Sequence, residues 1–266
     1  MDSQLQGDLP AVPTRNLKLV IAYEGTRYHG WQRQAPGTDT VQERLELAAG
    51  RVLGHPVKLN GAGRTDAGVH AAGQVANIAT PNFSIPVVNF RKALNAKLPG
   101  DIAVLSANCV SPLFHASRSA RAKTYRYRIY TATTPDVAAA NWVYHYWHGL
   151  SAERMARAAW RLVGTHDFRG LAFAAEQREN TVRTILACSV CQAGREIHIF
   201  VTGTGFLYKM VRNLSGTLLE IGRGHWEEDR IDQILATRDR AYAGPTLPAG
   251  GLCMMSVDYP PELEKP

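Results

Sequence analysis

The sequence predicts an α+β fold: two ferredoxin-like β-α-β-β-α-β halves around a central, mostly antiparallel sheet, with a cleft between the halves. Three observations predict it. Short β-branched runs alternate with stretches whose apolar residues recur at helical spacing. The order β-α-β-β-α-β can be read twice, without the sequence itself repeating. The length, 266 residues, suits one large domain or two of ordinary size. Residues 131–142, with Pro135 and an alanine run, read as the connection between the halves. The expected organisation is a flexible extension at 1–15, an N-terminal half at 16–130 and a C-terminal half at 131–266.

Each element has a local reason. Leu17 to Tyr23 is an apolar, β-branched first strand. A Gly- and Pro-rich loop follows to Asp39, carrying Arg27, Trp31 and Arg33. Thr40-Val41-Gln42-Glu43 reads as a capping box, with Thr40 as N-cap and Glu43 reaching back. Leu45, Ala48, Ala49 and Val52 then carry a helix to about Gly54. The runs Pro56 to Leu59 and Gln74 to Ala79 are expected to pair as a hairpin. Pro86 suits a helix start, with Val87, Phe90, Ala93 and Leu94 as its stripe, and Ile102 to Val110 closes the first half as a strand. In the second half, strands are expected at 123–130, 182–191, 196–202 and 252–259. Helices are expected at 152–163, 206–222 and 227–236.

Composition narrows the function classes. Hydrophobic residues make up 45% and charged residues 20%, as in ordinary globular proteins. The formal net charge of +7 favours a polyanionic partner, with plain solubility charge as the alternative. No apolar run approaches the roughly 20 residues of a membrane helix, and residues 1–15 lack the basic-then-apolar order of a signal peptide. Cys109, Cys188, Cys191 and Cys253 are too few for a disulfide scaffold. Cys188 and Cys191 form a C-x-x-C, but on a strand positions i and i+3 face opposite ways, and no second pair completes a tetrahedral site. Reduced thiols, a cytoplasmic location and no metal are the expectation. His29, His70 and His115 likewise lack metal-ligand spacing.

The hairpin loop holds the densest chemistry, Gly63-Arg64-Thr65-Asp66-Ala67-Gly68-Val69-His70-Ala71. A carboxylate on a Gly-rich turn either bonds its own backbone or faces a cleft. Four further blocks accompany it. They are Tyr28-His29-Gly30-Trp31-Gln32-Arg33-Gln34, the Thr40 block, Arg121-Ala122-Lys123-Thr124-Tyr125-Arg126-Tyr127, and Gly205-Phe206-Leu207-Tyr208-Lys209-Met210-Val211-Arg212. In this order the five resemble the tRNA pseudouridine synthase A family, over about 17–259 of the chain. The resemblance implies the pseudouridine synthase fold and conversion of uridine to pseudouridine at positions 38, 39 and 40 of the tRNA anticodon stem-loop. It implies no cofactor, a homodimer, and tRNA as partner.

It also implies residue roles. Asp66 aligns with the family's catalytic Asp. Arg212 is the candidate ion-pair partner, since a carboxylate in a water-poor cleft needs a countercharge. Arg212 falls off the apolar stripe Phe206, Met210, Leu214, Leu218 and Ile221, so it faces either the cleft or solvent. Tyr125 aligns with an aromatic that stacks on the flipped uracil, with a later part in proton removal from C5; without the family it is a core aromatic. Arg64 aligns with an arginine of base flipping, against the alternative of a salt bridge to Asp66.

Arg33, Lys123 and Lys209 join Arg27, Arg118, Arg121, Arg126, Arg128 and Arg223 as candidates for phosphate contact. The stretch 166–173 follows the family only loosely, whereas Val182-Arg183-Thr184-Ile185 fits. Two other readings stand beside the leading one: a same-fold synthase with another uridine target, and a non-catalytic RNA-binding protein.

Overall fold

A computed structural model describes residues 14–266; the expected N-terminal extension lies outside the described residues up to residue 13. Its last residue, Arg15, instead opens the first strand, β1 (Arg15–Tyr23). Leu17, Leu19, Ile21 and Tyr23 point inward in strict alternation. After α1 (Val41–Leu53) come β2 (Asn60–Gly61), β3 (His70–Thr80), α2 (Val87–Asn95), β4 (Ile102–Val110), β5 (Ala122–Tyr130) and β6 (Tyr144–His145). The remainder is α3 (Ala152–Trp160), β7 (Gly164–Asp167), β8 (Val182–Ala193), β9 (Glu196–Gly203), α4 (Met210–Gly222), α5 (Arg230–Thr237) and β10 (Leu252–Asp258).

All ten strands of the described residues belong to one sheet, ordered β4-β1-β3-β10-β5-β9-β8-β7, with β2 on β3 and β6 on β5. Every pairing is antiparallel except β3 with β10 and β5 with β6. The C-terminal strand is the seam. Met254 of β10 sits opposite Ala71 of β3 on one side and Tyr125 of β5 on the other. At about 4.8 Å per strand spacing, Tyr125 therefore lies about 10 Å from the start of β3, where the Asp66 loop ends.

One side of the sheet is apolar and carries the core. Tyr125, Tyr127 and Ile129 of β5 stand opposite Val201, Ile199 and Ile197 of β9, all buried. Their alternates are polar: Arg128 forms a two-bonded fork with Glu196 at 2.7 Å for each bond. Helix α2 packs on β4 and α1, and α3 packs on β8 and α4.

The local readings hold with identifiable exceptions. Thr40 caps α1, its hydroxyl accepting from the Glu43 amide, and Gly54 closes the helix at φ 78°. The reciprocal half of the capping box is missing, because Glu43 turns toward Arg33, Oε1 to Nε 3.7 Å. Pro86 is the N-cap of α2, one position before the expected start.

Pro56 to Leu59 is not a strand. Side chains of α1 satisfy its backbone instead: the Leu59 amide donates to Glu46 Oε1 at 3.0 Å, and its carbonyl accepts from Gln42 Nε2 at 3.1 Å. The hairpin shrinks to β2. Helix α4 begins at Met210 rather than Phe206, because Lys209 sits in the left-handed region at φ 60° and breaks the turn. The expected 152–163 and 227–236 helices likewise shorten to α3 and α5. Strands β6 and β7, two and four residues long, carry too little pattern to be read from sequence.

Candidate active site

The Asp66 loop is held by its neighbours rather than by its own sheet pairing. The Ala62 amide donates to the Val75 carbonyl at 2.7 Å and closes the hairpin. Gln74 Nε2 then donates to the Gly63 carbonyl at 2.8 Å. The Thr65 hydroxyl meets Tyr23 Oη at 2.7 Å, and the Thr65 carbonyl accepts from the Trp31 amide at 3.1 Å. The Val69 amide folds back to the Asp66 carbonyl at 3.1 Å, so Asp66 is the first residue of a tight turn. Gly68 is the third, at φ 78°, the position where such turns demand a positive φ. The loop's end is fixed by His70, which is fully buried. Its Nδ1 accepts from the Gly25 amide at 2.9 Å, which puts the ring proton on Nε2, 2.6 Å from the Asn141 carbonyl. His70 is thus structural, and burial pushes its imidazole below the usual histidine range.

These anchors leave the Asp66 carboxylate at the wall of a cleft of about 680 Å³. Its Oδ2 accepts from Arg212 Nη1 at 3.0 Å, and both side chains are mostly buried. Its Oδ1 has no protein partner among the described residues. Arg212 lies in the first turn of α4, and a second bond holds its guanidinium, Nε to the Leu247 carbonyl at 2.7 Å. The Leu247 amide returns a bond to the Arg212 carbonyl at 3.4 Å. Helix α4 can lie this deep because Gly216 lets the chain at Pro245 pass against it; a Cβ there would sit 1.9 Å from the Pro245 carbonyl oxygen.

Tyr125, 7% exposed, lines the same cleft and meets Phe206 edge to face, ring centroids 5.1 Å apart. Burial pushes its hydroxyl well above the usual tyrosine range, so the phenol stays protonated. In that state it offers a ring and a hydrogen-bond donor.

The basic candidates separate. Lys123 and Lys209 line the cleft. Lys123 Nζ donates to the Ala62 carbonyl at 2.7 Å, and burial lowers its ammonium below the usual lysine range. Lys209 Nζ lies 4.4 Å from the Phe173 ring centroid and 5.1 Å from that of Tyr208. Arg64 stands exposed at the rim, Nε to Gln32 Oε1 at 3.2 Å, and makes no salt bridge to Asp66. Arg33 does not line the cleft; it is held by Glu46 at 3.2 Å. Arg128 is committed to Glu196 on the opposite side of the sheet.

Phe206, Phe173 and the Leu247 carbonyl belong to the site but were not singled out by sequence. A main-chain oxygen carries no residue signature, and the spacing of Phe206 matches the apolar stripe of the helix that follows it. Cys188 is buried, its thiol pushed up to about 12, while Cys191 is exposed on the same strand, as their spacing implies. No cluster of metal-ligating side chains occurs among the described residues, and no helix is long and apolar enough to cross a membrane.

Known proteins bear on this arrangement. The family model described as tRNA pseudouridine synthase matches residues 19–117 and 158–260. A tRNA pseudouridine synthase A of Acetivibrio thermocellus is 44% identical over 92% of this chain and 100% of its own length. One from Moorella thermoacetica is 45% identical, covering 91% and 99%. A tRNA pseudouridine synthase A 2 of Clostridium perfringens is 41% identical, covering 92% and 100%. Among solved structures, a chain of a Cbf5-Nop10-Gar1 complex overlaps 76% of this chain and 54% of its own, at 12% identity and a TM-score of 0.30, too low to bear on the fold.

Proposed function

The chain belongs to the tRNA pseudouridine synthase family, and we propose that it isomerises uridines 38, 39 and 40 of the tRNA anticodon stem-loop, with Asp66 as the reacting carboxylate. The observation that carries this is the state of Asp66: one oxygen held by Arg212, the other turned loose in a nucleotide-sized cleft.

Isomerisation breaks the C1′–N1 glycosidic bond, rotates the uracil, joins C1′ to C5 and releases the C5 hydrogen as a proton, while N1 gains one. Atoms balance without a co-reactant. Glycoside cleavage of this kind uses a carboxylate opposite the leaving group. Uracil leaves as a ring-delocalised anion, so a second carboxylic acid is dispensable. Asp66 Oδ1 either adds to C1′ or removes the C2′ proton to give a glycal, and both steps use the same free lone pair. Arg212 supplies the countercharge and, through Leu247, fixes the angle of the carboxylate.

The uridine must leave the helical stack to reach Asp66. Tyr125 and Phe206 offer it an aromatic wall, and Lys123 and Lys209, both half-buried, line the same cleft as cations. Arg64 at the rim is suited to occupy the vacated stack or to hold a phosphate. The excess of positive charge fits a tRNA-sized anion. The proposal takes 16–130 and 131–266 as the two walls of the cleft, and includes a homodimer in the cytoplasm.

Tritium release from tRNA transcribed with 5-tritiated uridine tests this, wild type beside Asp66→Asn. Release by wild type, lowered at least about 1,000-fold in the variant, is expected. No release by wild type from any tRNA would return the chain to RNA binding without catalysis.

A further inference from the structure

A second, smaller cleft of about 300 Å³ opens on the far side of Arg64 from Asp66. The two clefts share Gln32, Gly63 and Arg64, so Arg64 is the partition between them. The Gln32 amide locks that partition, accepting from Arg64 Nε while donating to Gln42 Oε1 at 2.7 Å. The Arg64 Nη groups remain free of any protein acceptor among the described residues.

The chemistry of this smaller cleft is one-sided. Its charged side chains, Lys58 and Arg64, are both cations, and no carboxylate among the described residues lines it. Lys58 is exposed and has no ion-pair partner among the described residues. His115 adds a directed donor. Its Nδ1 accepts from the backbone amides of Ser117 at 3.2 Å and Arg118 at 3.3 Å, which places the ring proton on Nε2. That Nε2–H has no protein acceptor among the described residues. Trp31 lines the cleft too, but its ring is 1% exposed and offers no platform for stacking. A cavity rich in uncommitted donors and poor in exposed rings suits an oxyanion rather than a base.

We propose that this cleft binds a backbone phosphate of the RNA strand, one adjacent to the uridine lying against Asp66, through Lys58, Arg64 and His115. The inference rests on the main cleft being the uridine site. Arg64 would then contact both the flipped nucleotide and its neighbour's phosphate, fixing the strand's register as the base turns.

The test reads binding rather than turnover. A fluorescent anticodon stem-loop is titrated with wild type, Lys58→Ala and Lys58→Arg at several salt concentrations. Lys58→Ala is expected to bind several-fold more weakly, with a slope of log affinity against log salt shallower by about 0.7, one phosphate's share. Lys58→Arg restores both. In a second arm, single phosphates flanking the target uridine are replaced by neutral methylphosphonates. At one linkage wild type loses several-fold in affinity, and Lys58→Ala, with one of the three contacts already gone, loses less.

Unchanged affinity and slope in Lys58→Ala would overturn the proposal. So would a wild-type penalty at that linkage which persists undiminished in the variant, because it would place the phosphate elsewhere. Failure of the uridine reading looks different: no tritium release by wild type, with these binding differences intact.

Discussion

Arg212 and Asp66, 146 positions apart in sequence, are joined by a single hydrogen bond of 3.0 Å between Nη1 and Oδ2. The bond is directional because Arg212 is itself held from behind, Nε on the Leu247 carbonyl. One guanidinium thus reads two acceptors set by two different segments, and the carboxylate inherits their geometry.

Arg212→Lys separates charge from geometry. A lysine ammonium keeps the positive charge but has no planar fork to reach Leu247 and Asp66 together. Turnover is expected to fall about 10- to 100-fold, as when a positioning contact is lost, and Arg212→Ala to fall further. Single-turnover tritium release measures both. Wild-type rates in Arg212→Lys would mean that charge alone suffices.

Gly216→Ala reaches the site indirectly. The new methyl would meet the Pro245 carbonyl oxygen at 1.9 Å, and the strap that follows carries Leu247 to Arg212. Overpacking of this kind costs about 1–3 kcal/mol, or a fall in Tm of roughly 2–4 °C per kcal/mol for a chain of this size. Calorimetry checks the stability loss, and a parallel loss of turnover at a temperature where the variant is folded checks the route through Leu247.

Tyr125→Phe asks whether the hydroxyl matters. The ring and its edge-to-face contact with Phe206 survive the change, and the Tyr125 hydroxyl has no protein partner among the described residues. Stem-loop affinity and Tm are expected to stay near wild type, whereas Tyr125→Ala, which empties the core of an aromatic, costs about 3–5 kcal/mol. Because burial keeps the phenol protonated, the pH–rate profile of Tyr125→Phe should show the same limbs as wild type. Disappearance of an alkaline limb would assign that limb to Tyr125.

His70 gives the fold a pH dependence. Burial lowers its imidazole pKa in the folded state, while the unfolded chain keeps the ordinary value of 6.5. Above that value both states are neutral and the stabilisation is complete. As pH falls below it, the unfolded chain takes up a proton that the folded state resists, and stability declines by up to about 1.4 kcal/mol per pH unit for one proton. Urea unfolding between pH 7.5 and 5.5 should show a shallower decline in His70→Gln than in wild type. The same variant is expected to be less stable at pH 7.5, through lost bonds to Gly25 and Asn141.

The elements with a full local signature were legible in the chain. The alternation Leu17, Leu19, Ile21, Tyr23 needs only period two, and the Thr40 cap with Gly54 brackets α1 within a single stretch of sequence. Asp66 stood out because Gly63 and Gly68 flank it on a tight turn. Where neighbours from elsewhere supply the hydrogen bonds, the local reading failed. Pro56 to Leu59 looked like a strand until Gln42 and Glu46 took its backbone groups, and Phe206 looked helical until Lys209 turned left-handed.

By itself, then, the sequence determined the α+β class, the turn that presents Asp66 and the set of cations available to it, since these depend on short-range spacing and side-chain type. Tertiary structure alone decided which partner each cation meets. Insertion of β10 between β3 and β5 brings Tyr125 beside the Asp66 loop, and the Gly216 contact brings Leu247 behind Arg212. It also spends Arg33 on Glu46 and Arg128 on Glu196 while leaving Lys58 and Arg64 without an ion-pair partner among the described residues. An ion pair forms by distance in space, and distance in space is what a linear order of residues does not contain.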